Sequence, residues 1–120
     1  MAKILVIDDE PQIRTMLKDI LENEGYEVIE AENGEVGIRQ YKNDPTDVVI
    51  TDIVMPDKEG IATIRELKQE FPDIKIIAMS GGGRGVADNY LMMAEAFGVK
   101  RVFKKPIAYD ELVSAVAELT

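Results

Sequence analysis

Five polar residues stand just behind short apolar runs: Asp8 and Asp9 behind "ILVI", Asp52 behind "VVIT", Ser80 behind "IIAM" and Lys105 shortly behind "RVF". Taken singly, an acid on a strand-end loop reads as a solvated residue. Taken together, three carboxylates in one place repel each other, and burial raises their pKa values unless something positive sits among them. The chain has no His and no Cys. A metal there would meet only oxygen ligands, which suits Mg²⁺, Mn²⁺ or Ca²⁺. The same absence removes thiolate catalysis and the commonest general base. Lys105 adds a positive charge, and Ser80 adds a hydroxyl. Such a set suits a phosphoryl group, whose charge must be neutralised as it transfers. A carboxylate can itself be the nucleophile and become an aspartyl phosphate. Asp52 is the candidate for that role.

The elements that must gather these residues can be read from periodicity. Ile4 to Ile7 is a short apolar strand. Ile13, Met16, Leu17, Ile20 and Leu21 recur at helical spacing, with Pro11 suited to the first turn and Gly25 to the stop. Residues 26–30 read as a more polar strand at an edge. Asn33 caps a helix carrying Val36, Ile38 and Tyr41. "DVVIT" (47–51), "IKIIAMS" (74–80) and "RVF" (101–103) are three further strands. Between them, Ile61, Ile64 and Leu67 mark one helix, and Leu91, Ala94 and Phe97 another. Leu112, Ala115, Val116 and Leu119 form a last helical stripe. Strand and helix alternate five times, which predicts an α/β fold: a (βα)5 doubly wound parallel sheet with right-handed crossovers. The first, third and fourth strands are the most apolar and belong in the middle, which fits the flavodoxin-like order 2-1-3-4-5. In such a sheet, sites gather at the carboxyl ends of the strands. Asp8, Asp9, Asp52, Ser80 and Lys105 all fall there.

Composition narrows the function classes. At 120 residues with 46% hydrophobic content, the chain is expected to fold as one domain, residues 1–120. No apolar stretch approaches the ~20 residues that span a bilayer, and no signal peptide precedes the first strand, so a cytoplasmic location is expected. A net charge of -9 argues against direct contact with nucleic acid. "GGGRG" (81–85) lacks the Gly-Lys-Ser/Thr of a phosphate-binding loop and reads as a flexible connection.

Four segments carry a family resemblance: "VIDDE" (6–10), "VVITDIVMPDKEG" (48–60), "IIAMSG" (76–81) and "FKKP" (103–106). Each is weak alone; at this spacing, on the expected strand ends, they are specific. Over essentially its whole length the chain resembles the receiver domain of two-component response regulators, the CheY-like family. The resemblance implies that Asp52 accepts a phosphoryl group from a histidine kinase or phosphotransfer protein. It implies Mg²⁺, with Mn²⁺ an alternative, held by Asp9 directly, by Asp8, by Asp52 and by the backbone carbonyl of Val54. Lys105, which directly precedes Pro106 across a bond that is cis in the family, is the site lysine, while Lys104 points elsewhere. Ser80 would bond a phosphoryl oxygen and draw the next loop inward. The output surface would lie around Tyr90, Phe97, Val102 and Tyr109. It would meet a downstream target protein or an attached output domain, as a monomer or a phosphorylation-dependent dimer. Such a protein is a switch and not an enzyme.

Some residues depart from the family pattern or read more plainly. Many receivers place Tyr or Phe three residues before the lysine, where this chain has Val102 beside Phe103. Val54 and Gly82 cannot orient a hydrolytic water with their side chains, which implies slow loss of the phosphoryl group. Glu10 reads as a first-turn charge favoured by the helix dipole, and Asp57 as a cap or turn residue. Other readings are a degenerate receiver that only binds partners, a Mg²⁺-dependent phosphatase with an aspartate nucleophile, and a flavin-binding module. The phosphatase needs a second Asp two residues after the nucleophile, where Val54 stands. The flavin module is suggested by the fold alone.

Overall fold

The computed structural model of the chain describes residues 2–53, 59–80, 92, 96, 98–105 and 107–120. Its five strands are β1 (Lys3–Ile7), β2 (Glu27–Ala31), β3 (Val48–Asp52), β4 (Ile76–Ser80) and β5 (Arg101–Lys104). All adjacent pairs are parallel, in the order β2-β1-β3-β4-β5, as the apolar pattern predicts. Four helices lie among the described residues: α1 (Pro11–Asn23), α2 (Gly34–Asn43), α3 (Glu59–Glu70) and α4 (Tyr109–Leu119). Leu91, Ala94 and Phe97, which mark another expected helix, lie outside the described residues, as does the 81–85 connection, while Met92 and Ala96 of that stretch are helical.

Strand alternation splits the core in two. Leu5, Ile7, Val49, Ile76 and Ala78 face one side and pack with Tyr41, Ile64 and Leu67 from α2 and α3. Ile4, Val6, Ile50, Ile77 and Met79 face the other and pack with Leu17 and Leu21 of α1 and Leu112, Ala115 and Val116 of α4. Because β1, β3 and β4 are buried on both faces, their sequences are near-continuous apolar runs. β2 carries only one fully buried residue and lies at the edge.

Local signals set the helix ends. Pro11 opens α1, where its missing N–H costs nothing. Gly25 turns the chain out of α1 with φ +94°, a conformation that suits glycine. Asn33 caps α2 by accepting from the Val36 N–H at 2.8 Å. Met16, expected in the α1 stripe, is 38% exposed instead, since Leu17 and Leu21 fill the contact with the sheet.

Several strand limits shift by one or two residues, three of them for reasons found in the neighbouring turns. The Tyr26 N–H is used by the exit of α1, bonding Leu21 O at 3.1 Å, so β2 starts one residue later. The Ile74 N–H closes a turn onto Phe71 O at 3.0 Å, so β4 starts at Ile76. β3 runs through Asp52, because the Ile53 N–H continues the ladder to Met79 O at 2.8 Å. The candidate acceptor is therefore the last residue of the central strand. The registers Ile7↔Thr51, Asp52↔Met79 and Ser80↔Lys104 bring the carboxyl ends of the inner strands level.

Candidate functional site

Asp8 follows β1 directly and is fully buried. Each of its polar atoms meets a partner. Its N–H donates to Ala31 O at 3.1 Å, and its Oδ1 accepts from the Glu10 N–H at 2.8 Å. Its carbonyl accepts from the Arg14 Nη1 at 2.5 Å. Oδ2 accepts no well-angled hydrogen bond and is met by the Lys105 ammonium at 2.7 Å. Asp52 is 2% exposed, and its Oδ2 accepts from Lys105 Nζ at 3.0 Å. Ser80 ends β4 and is fully buried. The Lys105 N–H donates to Ser80 O at 2.7 Å, which fixes the turn that sends Lys105 into the acids.

The structure thus brings Asp8, Asp52 and Lys105 into direct contact at the strand ends, with Ser80 one strand over. Asp9 is exposed at the mouth. Lys104, at the end of β5, is also exposed, and Lys105 alone of the two lysines contacts Asp8 and Asp52 among the described residues. Val54, Pro106, Asp57, Gly82, Tyr90 and Phe97 lie outside the described residues. Val102 and Phe103 pack on opposite faces of the sheet. The Phe103 ring cannot take the place of an aromatic residue at 102 without reversing the strand.

Electrostatics set the protonation states. Burial pushes the Asp8 carboxyl above its ordinary value, and the Lys105 ammonium and the Glu10 N–H recover only part of that cost. Burial alone would pull Lys105 down. Its contact with Asp8 and the charge of Asp52 outweigh that, and the ammonium is held above the ordinary lysine value. Lys105 stays charged at any physiological pH.

Three residues of this region escaped the sequence. Glu10 stands at the N-cap of α1 rather than in its first turn, and its side chain makes no cap. It lies 3.3 Å from Lys105 Nζ instead. One oxygen each from Asp8, Asp9, Glu10 and Asp52 fall within 4.8 Å of one another, so Glu10 belongs to the acid cluster. Its place directly behind the Asp pair was the available signal. Arg14 is the second, held by the Asp8 carbonyl. Gly60 is the third: a Cβ there would collide with the Asp52 carbonyl oxygen and the Ile53 Cα, so its bareness lets α3 start against the candidate acceptor. "EG" at 59–60 carries no local sign of that contact.

Comparison with known proteins agrees with this geometry. The family model "Response regulator receiver domain" matches residues 4–117. The chemotaxis protein CheY of Bacillus subtilis is 36% identical over 115 residues, covering 95% of this chain and 93% of that protein. The receiver domain structure from Clostridium thermocellum is 36% identical, with a TM-score of 0.89 over 99% of this chain and 94% of that one. The response regulator TrrA of Thermotoga maritima, solved in complex with Mg²⁺-BeF, is 34% identical, with a TM-score of 0.87 over the full length of both chains. With the parallel 2-1-3-4-5 sheet and the acids and lysine at its strand ends, these matches show that the chain belongs to the CheY-like response regulator receiver domains of two-component signalling.

Proposed function

We propose that this receiver takes a phosphoryl group onto Asp52 from a histidine kinase or phosphotransfer protein, with Mg²⁺, and so switches a partner-binding surface. The observation that carries this is the buried Asp8–Lys105–Asp52 cluster at the strand ends. A family relative of the same size, complexed with Mg²⁺-BeF, supports it.

The acids fit a divalent cation. Among the described residues, Asp8 Oδ2 is buried with the Lys105 ammonium facing it and no other partner, and four carboxylates offer oxygens within 4.8 Å. An all-oxygen set that leaves room for retained waters is the kind Mg²⁺ favours, and Mn²⁺ accepts it too. Asp8, Asp9 and Asp52 would hold the ion, with the Val54 carbonyl. Bound there, the ion neutralises phosphoryl oxygens and lowers the charge that the acids present to an incoming phosphate.

This chain's residues then do the rest. The Asp52 carboxylate attacks phosphorus, the bond from phosphorus to the donor's imidazole nitrogen breaks, and its electron pair stays on that nitrogen. An acyl phosphate remains on Asp52. Lys105, already 3.0 Å from Asp52 Oδ2 and permanently charged, stays to balance the added negative charge. The Ser80 hydroxyl takes one phosphoryl oxygen. With no His among these 120 residues, the phosphoryl group must come from outside this domain. The switch is a local charge change that biases a two-state surface read by a target protein or output domain. Its working form is a monomer or a phosphorylation-dependent dimer.

The test is intact mass after acetyl phosphate, with Mg²⁺ or with EDTA. The expected result is a gain of one phosphoryl group that needs Mg²⁺ and disappears in Asp52→Asn. No gain in any condition would mean a receiver that only binds partners. Turnover of p-nitrophenyl phosphate would mean a phosphatase.

A further inference from the structure

Arg14 sits four residues into α1, yet its side chain turns back to the acid loop. Nη1 donates to the Asp8 carbonyl at 2.5 Å, and Nε lies 3.5 Å from Glu30 Oε1 on β2. The guanidinium side chain is only 16% exposed. Lys18, one turn further along α1, reaches the other Glu30 oxygen at 3.7 Å. The Asp8 N–H is held by Ala31, the residue after Glu30. The β1–α1 junction is therefore tied to the end of β2 by two adjacent links, one through the Asp8 backbone and one through the Arg14 fork.

We propose that Arg14 is a positioning residue for the divalent cation. It would clamp the Asp8 carbonyl to Glu30 and so hold the Asp8 and Asp9 carboxylates in place. This rests on the Mg²⁺ site described above. The physical reason is the loop's own charge. Asp8, Asp9 and Glu10 are three successive acids that repel each other, and only Asp8 is buried. Without a donor on the Asp8 carbonyl, that repulsion can swing the junction outward, and a buried carbonyl loses its partner. Groups that orient a ligand without touching the metal commonly change affinity by about ten- to a hundredfold when removed.

The bland alternative, that Arg14 acts only through its charge, predicts the opposite sign. A nearby cation repels Mg²⁺, so removing it should tighten binding. Arg14→Gln removes the charge and the fork. Arg14→Lys keeps the charge and loses the fork, since an ammonium cannot span two acceptors as a guanidinium does. Mg²⁺ affinity is read by calorimetry on the unphosphorylated protein, with the melting temperature in EDTA recorded beside it.

The expected result is binding about tenfold weaker in Arg14→Gln and at least about threefold weaker in Arg14→Lys. A lower melting temperature in EDTA with unchanged affinity in both variants would make Arg14 merely structural and overturn the proposal. Tighter binding in Arg14→Gln with wild-type affinity in Arg14→Lys would make it a simple charge and overturn it too. If Arg14→Gln does not fold, Arg14→Lys decides alone: weakened binding supports the clamp, and wild-type affinity removes it. A wild type that binds no Mg²⁺ would instead refute the cation site itself, and the clamp with it.

Discussion

If Asp8 holds the proposed cation, it pits folding against metal binding within one side chain. Its carboxyl is fully buried, and its pKa lies above the ordinary aspartate value because burial outweighs its partners. A carboxyl whose folded pKa is raised favours the protonated folded state. Its contribution is present below the unfolded pKa and is lost as pH rises through the folded one. At neutral pH, without a divalent ion, ionised Asp8 therefore works against the fold. Asp8→Asn should melt higher than wild type in EDTA. In Mg²⁺ the order should reverse. A ligand at a hundred times its Kd stabilises by about 2.7 kcal/mol, roughly 10 °C for a domain of this size, and the variant should lose most of that gain. Melting curves in EDTA and Mg²⁺ check both halves. A variant that melts lower in EDTA would show that the Lys105 pair outweighs the burial cost.

Between elements, the informative contact is α3 against the end of β3. A Cβ on Gly60 would strike backbone, the Asp52 oxygen and the Ile53 Cα, neither of which can rotate away. A Cβ on Gly37 of α2 would strike the Ile7 side chain at Cδ1 and Cγ1, and because Ile7 is fully buried that side chain would have to repack. Both are helical glycines, so alanine gains about 1 kcal/mol of helix propensity at either, while overpacking costs about 1–3 kcal/mol. Gly60→Ala should lose up to about 2 kcal/mol in urea unfolding and label more slowly with acetyl phosphate, while Gly37→Ala should lose less and label at the wild-type rate. Equal losses at the two sites would mean that α3 shifts as freely as Ile7. The contrast also marks what a sequence can tell. Periodicity gave the five strands and their order because apolar runs and helical stripes report burial, which is local to each element. Asp8, Asp52 and Lys105 were legible because strand-end positions converge by topology. Glu10, Arg14 and Gly60 act across a loop onto another element's backbone. A side chain's direction there depends on crossover geometry, which no local pattern encodes. Met16 fits the α1 stripe by spacing and still faces outward, since Leu17 and Leu21, with Ile13 and Ile20, fill the contact with the sheet.

For the whole molecule, the layering decides how the proposed phosphoryl donor would arrive. α1 and α4 cover one face of the sheet and α2 and α3 the other, so the strand ends are where Asp52 can be approached. Asp52 is nearly closed off, while Asp9 and the α1 side of the mouth are open. There Pro11, Gln12, Thr15, Met16 and Asp19 line a shallow groove in which Met16 is the large exposed apolar group. A small donor needs only the mouth, but a protein donor must also rest on its rim. Covering the exposed part of the Met16 side chain would contribute about 1 kcal/mol, close to a fivefold change in an equilibrium constant. Met16→Gln is a surface change that should leave stability within about 0.5 kcal/mol. Labelling by acetyl phosphate should be unchanged, while kcat/KM for transfer from a phosphorylated protein donor that serves the wild type should fall about three- to fivefold. If both donors slow together, Met16 acts on the site itself. If neither slows, the donor docks on another part of the rim, and the α4 side beside Lys105 becomes the face to probe.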